Sequence, residues 1–465
     1  MSPTSLPRRE FLRRTLWATS APLLAGSARA AFGALPAKPK VIHVHHGRAA
    51  TWNNTSGFYR DFVDQAKVRS MLDLAVQDLK GGTLDQAWKK VFPLASPATR
   101  KLAIKVSCNN SYTPDGCGNE TDATPEPAIA AVRGFLRAGG SAQNVTIYDA
   151  TTSNGGRSIP TWFRDRVLTA VPGVQFLDRQ TAKGGTYNAR THVTWSAGYA
   201  GTPPPTRIAD VVLLADYLIN VPLVRRHVGA GFSLGYKNHY GTVENVHLLH
   251  PYTWEDFPSG SVLADIMGSP RVTGDATVKS LARKTVLTIG DLLLAQPCKN
   301  YGYSPVPWNT FGREWPNSLI VSDDPVAADS VMLDLLEAEP PSGDCGAVAA
   351  WARRYLSVAA ARGQGVYEHL GLPPGTPFDP KRMVYTKIDY LHRELMSGGA
   401  DLHVARSGPQ GARLDWNHYF TGPCEIWRAS RPDFSDGVLL TTTNLRTYVD
   451  ASLVQPAYYR VTFVG

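Results

Sequence analysis

Residues 211–223 read VVLLADYLINVPL, and residues 220–250 continue as NVPLVRRHVGAGFSLGYKNHYGTVENVHLLH. The first is a run of branched and apolar side chains with little polar alternation, the pattern of a strand buried on both faces of a parallel sheet. Parallel neighbours need helical crossovers, so the run predicts an α/β fold: a mostly parallel open sheet with helices on both faces. The second stretch leaves the carboxyl end of that strand, where open α/β sheets bind ligands. It carries His227, Lys237, Asn238, His239, His247 and His250, interleaved with Gly229, Gly231, Gly235 and Gly241. Bare glycine backbone lets a small molecule approach closely.

Outward from this stretch, KVIHVHHG from Lys40 reads as a short strand. His43 and His45 share one of its faces. With His247 and His250 they are candidate metal ligands, against the plainer reading of strand-end histidines that hydrogen-bond. Residues 101–107 (KLAIKVS) form the next strand, followed by a long polar loop suited to function at a sheet edge. Pro125-Glu126-Pro127 opens a helix that Gly139-Gly140 closes, and NVTIYDA follows as a strand. Strand, helix and strand imply a right-handed crossover. Asp149 ends that strand, placed to orient a substrate or bind a cation, or to serve as a turn aspartate. A helix over 161–170, a strand over 173–178, an irregular insertion over 183–205 and an apolar run over 285–294 come next. SLIVS then leads into Asp323-Asp324-Pro325, a helix start in which one aspartate caps and the other is available to a substrate.

The N-terminus, PRREFLRR with Arg8 and Arg9, then TLWATSAPLLAG and an Ala28-Arg29-Ala30 cleavage pattern, resembles a twin-arginine export signal. The apolar part is too short to span a bilayer. The expected partner is the twin-arginine export machinery, the expected location is the periplasm or beyond, and no stable transmembrane segment is expected once residues 1–30 are removed. Because that pathway carries folded proteins, a metal ion or cofactor inserted before export is compatible with it; the sequence names neither. Removing residues 1–30 takes away five arginines and one glutamate, so the formal charge falls from +9 to +5. The remainder forms no basic stripe interleaved with aromatics, which argues against nucleic acid. Among the five cysteines only Cys108 and Cys117 lie close together, a disulfide candidate in an exported chain.

The succession HVHH, TPEPAIAAVRGFLRAGG, NVTIYDA, INVPLVRRHVGAGFSLGYKNHYG, SDDPVAADSVML and YLSVAAARGQGVY resembles the bacterial family called domain of unknown function 362, from about Lys40 to about Asp389. A second, shorter resemblance is to lactate racemase-like nickel-pincer enzymes, and implies His227 as proton-transfer base and Lys237, ten positions on, as cofactor attachment point. That family's downstream nickel histidine has no counterpart at matching spacing; His247 and His250 lie nearby. After Gly398 short alternating runs separated by turns take over, and residues 401–465 resemble a fibronectin type III-like β-sandwich with Trp416 inside. The expected division is a signal over 1–30, an α/β domain over 40–397 and the sandwich over 401–465.

Two functional expectations follow. One is an enzyme acting on a small polar or carboxylate-bearing molecule, with His227, Lys237 and His239 as acid-base groups and Asp149, Asp323, Asp324 and Asn238 around the substrate. The other is a ligand-binding protein without chemistry. Convergence of these side chains on one pocket distinguishes them.

Overall fold

The computed structural model describes residues 37–93, 97–108, 118–149, 159–178, 187–199, 201–227, 230–254, 260–270, 279–297, 304–341, 350–395, 402–406, 411–416, 423–445, 447–452 and 457–464. The signal-like segment, Cys117, the loop after Asp149 and the side chain of Trp416 lie outside the described residues.

Strands β1 (Lys40–His45), β2 (Leu102–Lys105), β3 (Val145–Asp149) and β4 (Gln175–Asp178) alternate with helices α1 (Gln65–Lys80), α2 (Leu84–Val91), α3 (Pro125–Arg137) and α4 (Thr161–Ala170). The helices start where their caps dictate. Asp64 accepts from the Ala66 and Lys67 amides, Thr83 and Gln86 form a reciprocal capping box, and α3 begins at Pro125. Their apolar faces bury Trp88, Phe92 and Phe135 in one core layer. Gly134 is needed there because a β-carbon would enter the Trp88 ring.

The central run departs from expectation. Instead of one strand over 211–223, an antiparallel pair β5 (Tyr187–His192) and β6 (Arg207–Ala209) leads into a short helix α5 (Asp210–Leu214), and only then come β7 (Tyr217–Asn220) and β8 (Leu223–His227). Asp216 makes the break: its carboxylate accepts from the Lys101 amide at 2.8 Å and from Arg100 at 3.1 Å, seating the chain beside β2. Pro222 divides β7 from β8, since it cannot donate to a ladder. β9 (Gly231–Ser233) folds back antiparallel on β8, and a single turn α6 (Gly235–Asn238) follows.

The remaining strands are β10 (Thr285–Gln296), β11 (Ser318–Ser322), β12 (Asp389–Leu395), β13 (Leu402–Arg406), β14 (Ala412–Trp416), β15 (Cys424–Ala429), β16 (Val438–Thr443), β17 (Thr447–Asp450) and β18 (Tyr458–Val464). The main sheet runs β16-β15-β18-β12-β1-β11-β10-β7-β2-β3-β4, with β8 and β9 attached through β10. In the α/β body the pairs are mostly parallel, as expected, with β11 inserted antiparallel between β1 and β10. A second buried layer on the other face includes the helix Pro325–Ala338, together with Tyr236, Tyr240, Ile266 and Tyr355.

The C-terminal strands are antiparallel. β13, β14 and β17 form a separate sheet, while β15, β16 and β18 continue the main sheet because β18 pairs with β12. Leu414, Cys424, Ile426 and Val461 pack between the two layers. Among the described residues, no helix is long and apolar enough to cross a membrane.

Candidate functional site

The carboxyl ends of β2, β3 and β7 lie side by side, and each ends in a polar side chain buried to at least 98%. Lys105 on β2 places Nζ 3.1 Å from Asp149 Oδ1 on β3 and donates to Asn238 Oδ1 on α6 at 3.1 Å. The other Asp149 oxygen accepts the Cys108 amide at 3.0 Å. Asn220 on β7 donates to the Gly235 carbonyl at 2.8 Å and accepts from Asn238 Nδ2 at 2.8 Å. Thus four strand-end and turn residues tie α6 to the rigid sheet below it. Gly241 is required, because a β-carbon there would collide with Asp149 and Lys105.

Asp329, on the helix Pro325–Ala338, fixes α6 from the opposite side. Its carboxylate accepts from the Gly235 amide at 2.7 Å, the Tyr236 amide at 3.0 Å and the Tyr355 hydroxyl at 2.6 Å. Gly235 must lack a side chain here too, since a β-carbon would lie 2.6 Å from Asp329 Oδ1.

Held in this way, Lys237 points its ammonium over the Tyr240 ring, 3.5 Å from the centroid. Its residue is only 6% exposed, and no hydrogen bond or ion pair reaches Nζ among the described residues. Burial first, then the charges of Arg225 and Lys105, hold this amine well below the usual lysine range. His227 is pushed below the usual imidazole range by burial, then by Lys237, His250 and Arg225. The His227 and His250 rings stack with centroids 6.0 Å apart, and burial lowers His250 to about 4. Because a backbone amide can only donate, the Ala230 N–H bonded to His227 Nδ1 at 3.0 Å fixes the neutral tautomer with its proton on Nε2. Arg225 donates Nη1 to the Thr121 carbonyl at 3.2 Å. A cleft lined by Ala230, Tyr252, Thr253, Gly260, Ser261 and Tyr355 borders this group. Thr253 also bonds the Tyr240 hydroxyl.

His239 lies one layer deeper, fully buried, with Nδ1 2.9 Å from Thr242 Oγ1; the Thr242 hydroxyl also meets the Tyr148 hydroxyl at 2.9 Å. Its Nε2 has no hydrogen-bond partner among the described residues, and burial lowers the imidazole to about 3. On β10, opposite Leu223, burial pushes the Asp291 carboxyl up to about 6.

Other expected residues lie elsewhere. Asp324 caps the helix Pro325–Ala338, accepting from Val326 and Ala327 amides at 2.9 Å each. Asp323, the aspartate expected to be available to a substrate, instead pairs at the surface with Lys80 at 2.6 Å. His43 has both ring nitrogens engaged, by the Tyr390 hydroxyl at 2.7 Å and Ser318 Oγ at 2.9 Å, so it presents no lone pair to a metal. His45 bonds Glu394 at 2.5 Å, and His247 is exposed. The proposed ligands His43, His45, His247 and His250 are therefore not gathered as a set. The one group with donor atoms within 4.8 Å of one another among the described residues is Asp334, Glu337 and His369, which Arg353 and the Tyr385 hydroxyl already bond. Cys108 is buried, and Cys117, its expected disulfide partner, lies outside the described residues.

Lys105, Asn220, Arg225 and Asp329 belong to the constellation without having stood out in the sequence. A lysine closing the apolar strand LAIK, and paired arginines directly after a buried strand, were the available signals.

Among solved structures, a Thermotoga maritima protein determined as a structural genomics target matches with a TM-score of 0.31 and 11% identity, over 64% of this chain and 59% of that one. The lactate racemase apoprotein from Thermoanaerobacterium thermosaccharolyticum matches with a TM-score of 0.29 and 11% identity, over 64% of this chain and 58% of that one. The chain thus spans under two thirds of the length of either. No curated protein matches. Residues 103–334 match the family model described as a domain of unknown function, DUF362. The segment that matches this model carries Lys105, Asp149, Lys237 and Asp291.

Proposed function

We propose that the protein is an enzyme that holds a small carboxylate-bearing molecule at the carboxyl ends of β2, β3, β7 and β8 and moves a proton with Lys237 and His227. The observation that carries this reading is Lys237: a buried amine beside Arg225, His227 and His250, with no carboxylate bound to it among the described residues. Desolvated cations are costly without a counter-charge. Asp149 compensates Lys105, whereas no carboxylate among the described residues reaches Lys237, so a ligand anion would compensate the charge that Lys237 acquires on taking a proton. A lysine held neutral by burial is a base at ordinary pH. In this reading His227, whose Nδ1 accepts from the Ala230 amide, takes the complementary role, donating its Nε2 proton to a ligand oxygen rather than acting as the base. Arg225 supplies the planar donor that carboxylates favour.

The export reading belongs to the same proposal, on the motivation of Arg8, Arg9 and the short apolar run after them. The test is calorimetric titration of the purified protein with acetate, pyruvate and succinate, combined with proton NMR of the same compounds in deuterated buffer. Binding together with exchange of a carbon-bound proton supports the enzyme. Binding with no exchange favours the non-catalytic ligand-binding reading, and no binding removes both.

A further inference from the structure

We propose that β16 (Val438–Thr443) is a dimer interface, pairing antiparallel across a two-fold axis with the β16 of a second copy of this chain. Such an interface lies outside the carboxylate site and gives a task to the C-terminal strands, which the proposed chemistry does not use. β16 is the terminal strand of the main sheet: β15 pairs with one of its sides, and among the described residues no strand pairs with the other. That outer side is a ladder of amides and carbonyls whose complement is another strand. Proteins ordinarily blunt an open edge with charge or proline. Two other terminal strands, β4 and β17, end in Asp178 and Asp450. β16 reads VLLTTT, with neither charge nor proline.

The surface around this edge is apolar. Of the eleven large hydrophobic side chains exposed among the described residues, six lie on or beside the C-terminal strands: Val404, Val438, Leu439, Leu445, Val449 and Tyr458. A concentration of this kind marks a contact surface, unlike the single apolar residues scattered over any protein. β17, the terminal strand of the smaller sheet, begins four residues after β16 ends. So short a link reaches little beyond the spacing of facing sheets, about 10 Å. Leu414 of β14 packs on Ile426 and Val461 of β15 and β18, so β17 lies over β16 and both sheets open on the same side. Leu445 and Val449 therefore flank the edge that β16 presents.

The lack of charge selects a second copy. In an antiparallel two-fold pair each residue meets a fixed partner, and like charges set opposite one another would drive identical strands apart; β16 has none to oppose. Centred between Leu440 and Thr441, the pair sets Leu440 against Thr441, Leu439 against Thr442 and Val438 against Thr443, an apolar residue against a threonine at every position. A two-fold pair also closes on itself, using the open edge of each copy once. A bulge fixes which side chains can report on it. Ile426 pairs with Thr441 and Trp427 with Leu439, so Leu440 is the extra residue, and Leu439 and Thr442 share the face of Trp427 and Glu425. Both are exposed, whereas Leu440 packs on the buried layer between the sheets.

The test is analytical ultracentrifugation of the full chain and two double variants, from about 1 to about 100 µM. Leu439→Lys with Thr442→Lys sets like charges opposite each other twice across the two-fold axis; Leu439→Glu with Thr442→Lys sets opposite charges there, at the same two positions. The parent should sediment as a dimer at the upper concentrations. The first variant should dissociate at least about tenfold more readily, and the second should stay within about threefold of the parent. All three should share one circular dichroism spectrum, since the changed side chains are exposed. Hydrogen exchange supplies a readout that needs no variant: the amides of 438–443 in the parent should exchange more slowly at about 100 µM than at about 1 µM. Equal exchange at both concentrations, or dimerisation that the like charges leave unchanged, would overturn β16 as the contact. A parent that stays monomeric overturns the second copy and leaves the edge to a strand of another protein. Loss of the dimer in both variants overturns the antiparallel register, and species larger than a dimer overturn the closed two-fold pair.

Discussion

Lys105 Nζ and Asp149 Oδ1 lie 3.1 Å apart across two adjacent parallel strands, with the side chains only 1% and 3% exposed. Removing one partner of such a pair leaves the other charge buried without compensation, which costs about 3–5 kcal/mol. Lys105→Met and Asp149→Leu should each lose roughly that much in urea unfolding. The double variant should lose clearly less than the sum, because neither charge is then stranded. Additive losses would show that the pair is not coupled.

Lys237 stands in the opposite position, a buried amine with no acceptor among the described residues. Lys237→Met keeps the chain length and removes the desolvation cost, so stability should stay within about 1 kcal/mol of the parent or rise. Affinity for small carboxylates should fall at least about tenfold. A large loss of stability with unchanged binding would mark Lys237 as a packing residue.

Asp329→Asn preserves shape but removes the charge that receives the Gly235 and Tyr236 amides and the Tyr355 hydroxyl. A loss of about 1–3 kcal/mol is expected from these buried hydrogen bonds, together with weaker carboxylate binding because Lys237 sits in the same turn. Gly235→Ala should act in the same direction, its new methyl pressing on Asp329 Oδ1. Binding that survives both changes would show that this turn does not position the lysine.

His239 gives a pH dependence with a definite sign. Its folded value, lowered to about 3 from the ordinary 6.5, means that the unfolded chain binds more protons as pH falls below 6.5. Stability from this residue is therefore present above pH 6.5 and declines as pH falls toward 3. Between pH 7 and pH 5 the parent should lose about 2 kcal/mol more than His239→Gln, which does not titrate. Parallel pH profiles for the two proteins would contradict the assignment.

Arg8→Lys with Arg9→Lys should hold the chain in the cytoplasm of an exporting host, followed by cell fractionation and immunoblot. Unchanged export would remove the twin-arginine reading.

Periodicity made much of the α/β body legible. β1, β2, β3, β4 and β11, and the helices α3, α4 and Pro325–Ala338, lie where apolar spacing, proline starts and glycine stops put them. What hid from it was tertiary. The residues around 216 favour a strand locally, but the Asp216 carboxylate anchors to the Lys101 amide and ends α5 there. Nothing in SLIVS announces that β11 runs antiparallel, since that direction is set by its neighbours β1 and β10. In the site, His227, Lys237, Asn238 and Asp149 were readable because reactive side chains clustered among glycines or at a strand end. Lys105 and Asp329 were not, because each lies in an apolar element and acquires meaning only from partners distant in sequence. The histidine pair at 43 and 45 misled for a related reason: the groups that occupy their nitrogens, Ser318, Tyr390 and Glu394, arrive from far along the chain.

The place of β1 has a consequence for synthesis. This strand, Lys40–His45, emerges early from the ribosome, yet it pairs on one side with Ser318–Ser322 and on the other with Asp389–Leu395. For most of translation both its edges wait for partners, and a nascent chain stopped before Asp389 presents a raw ladder of amides and carbonyls open to other strands. Completion of the sheet is thus postponed to the last part of the chain. Contacts of such sequence separation form slowly, so newly made molecules need protection during the interval before β12 arrives.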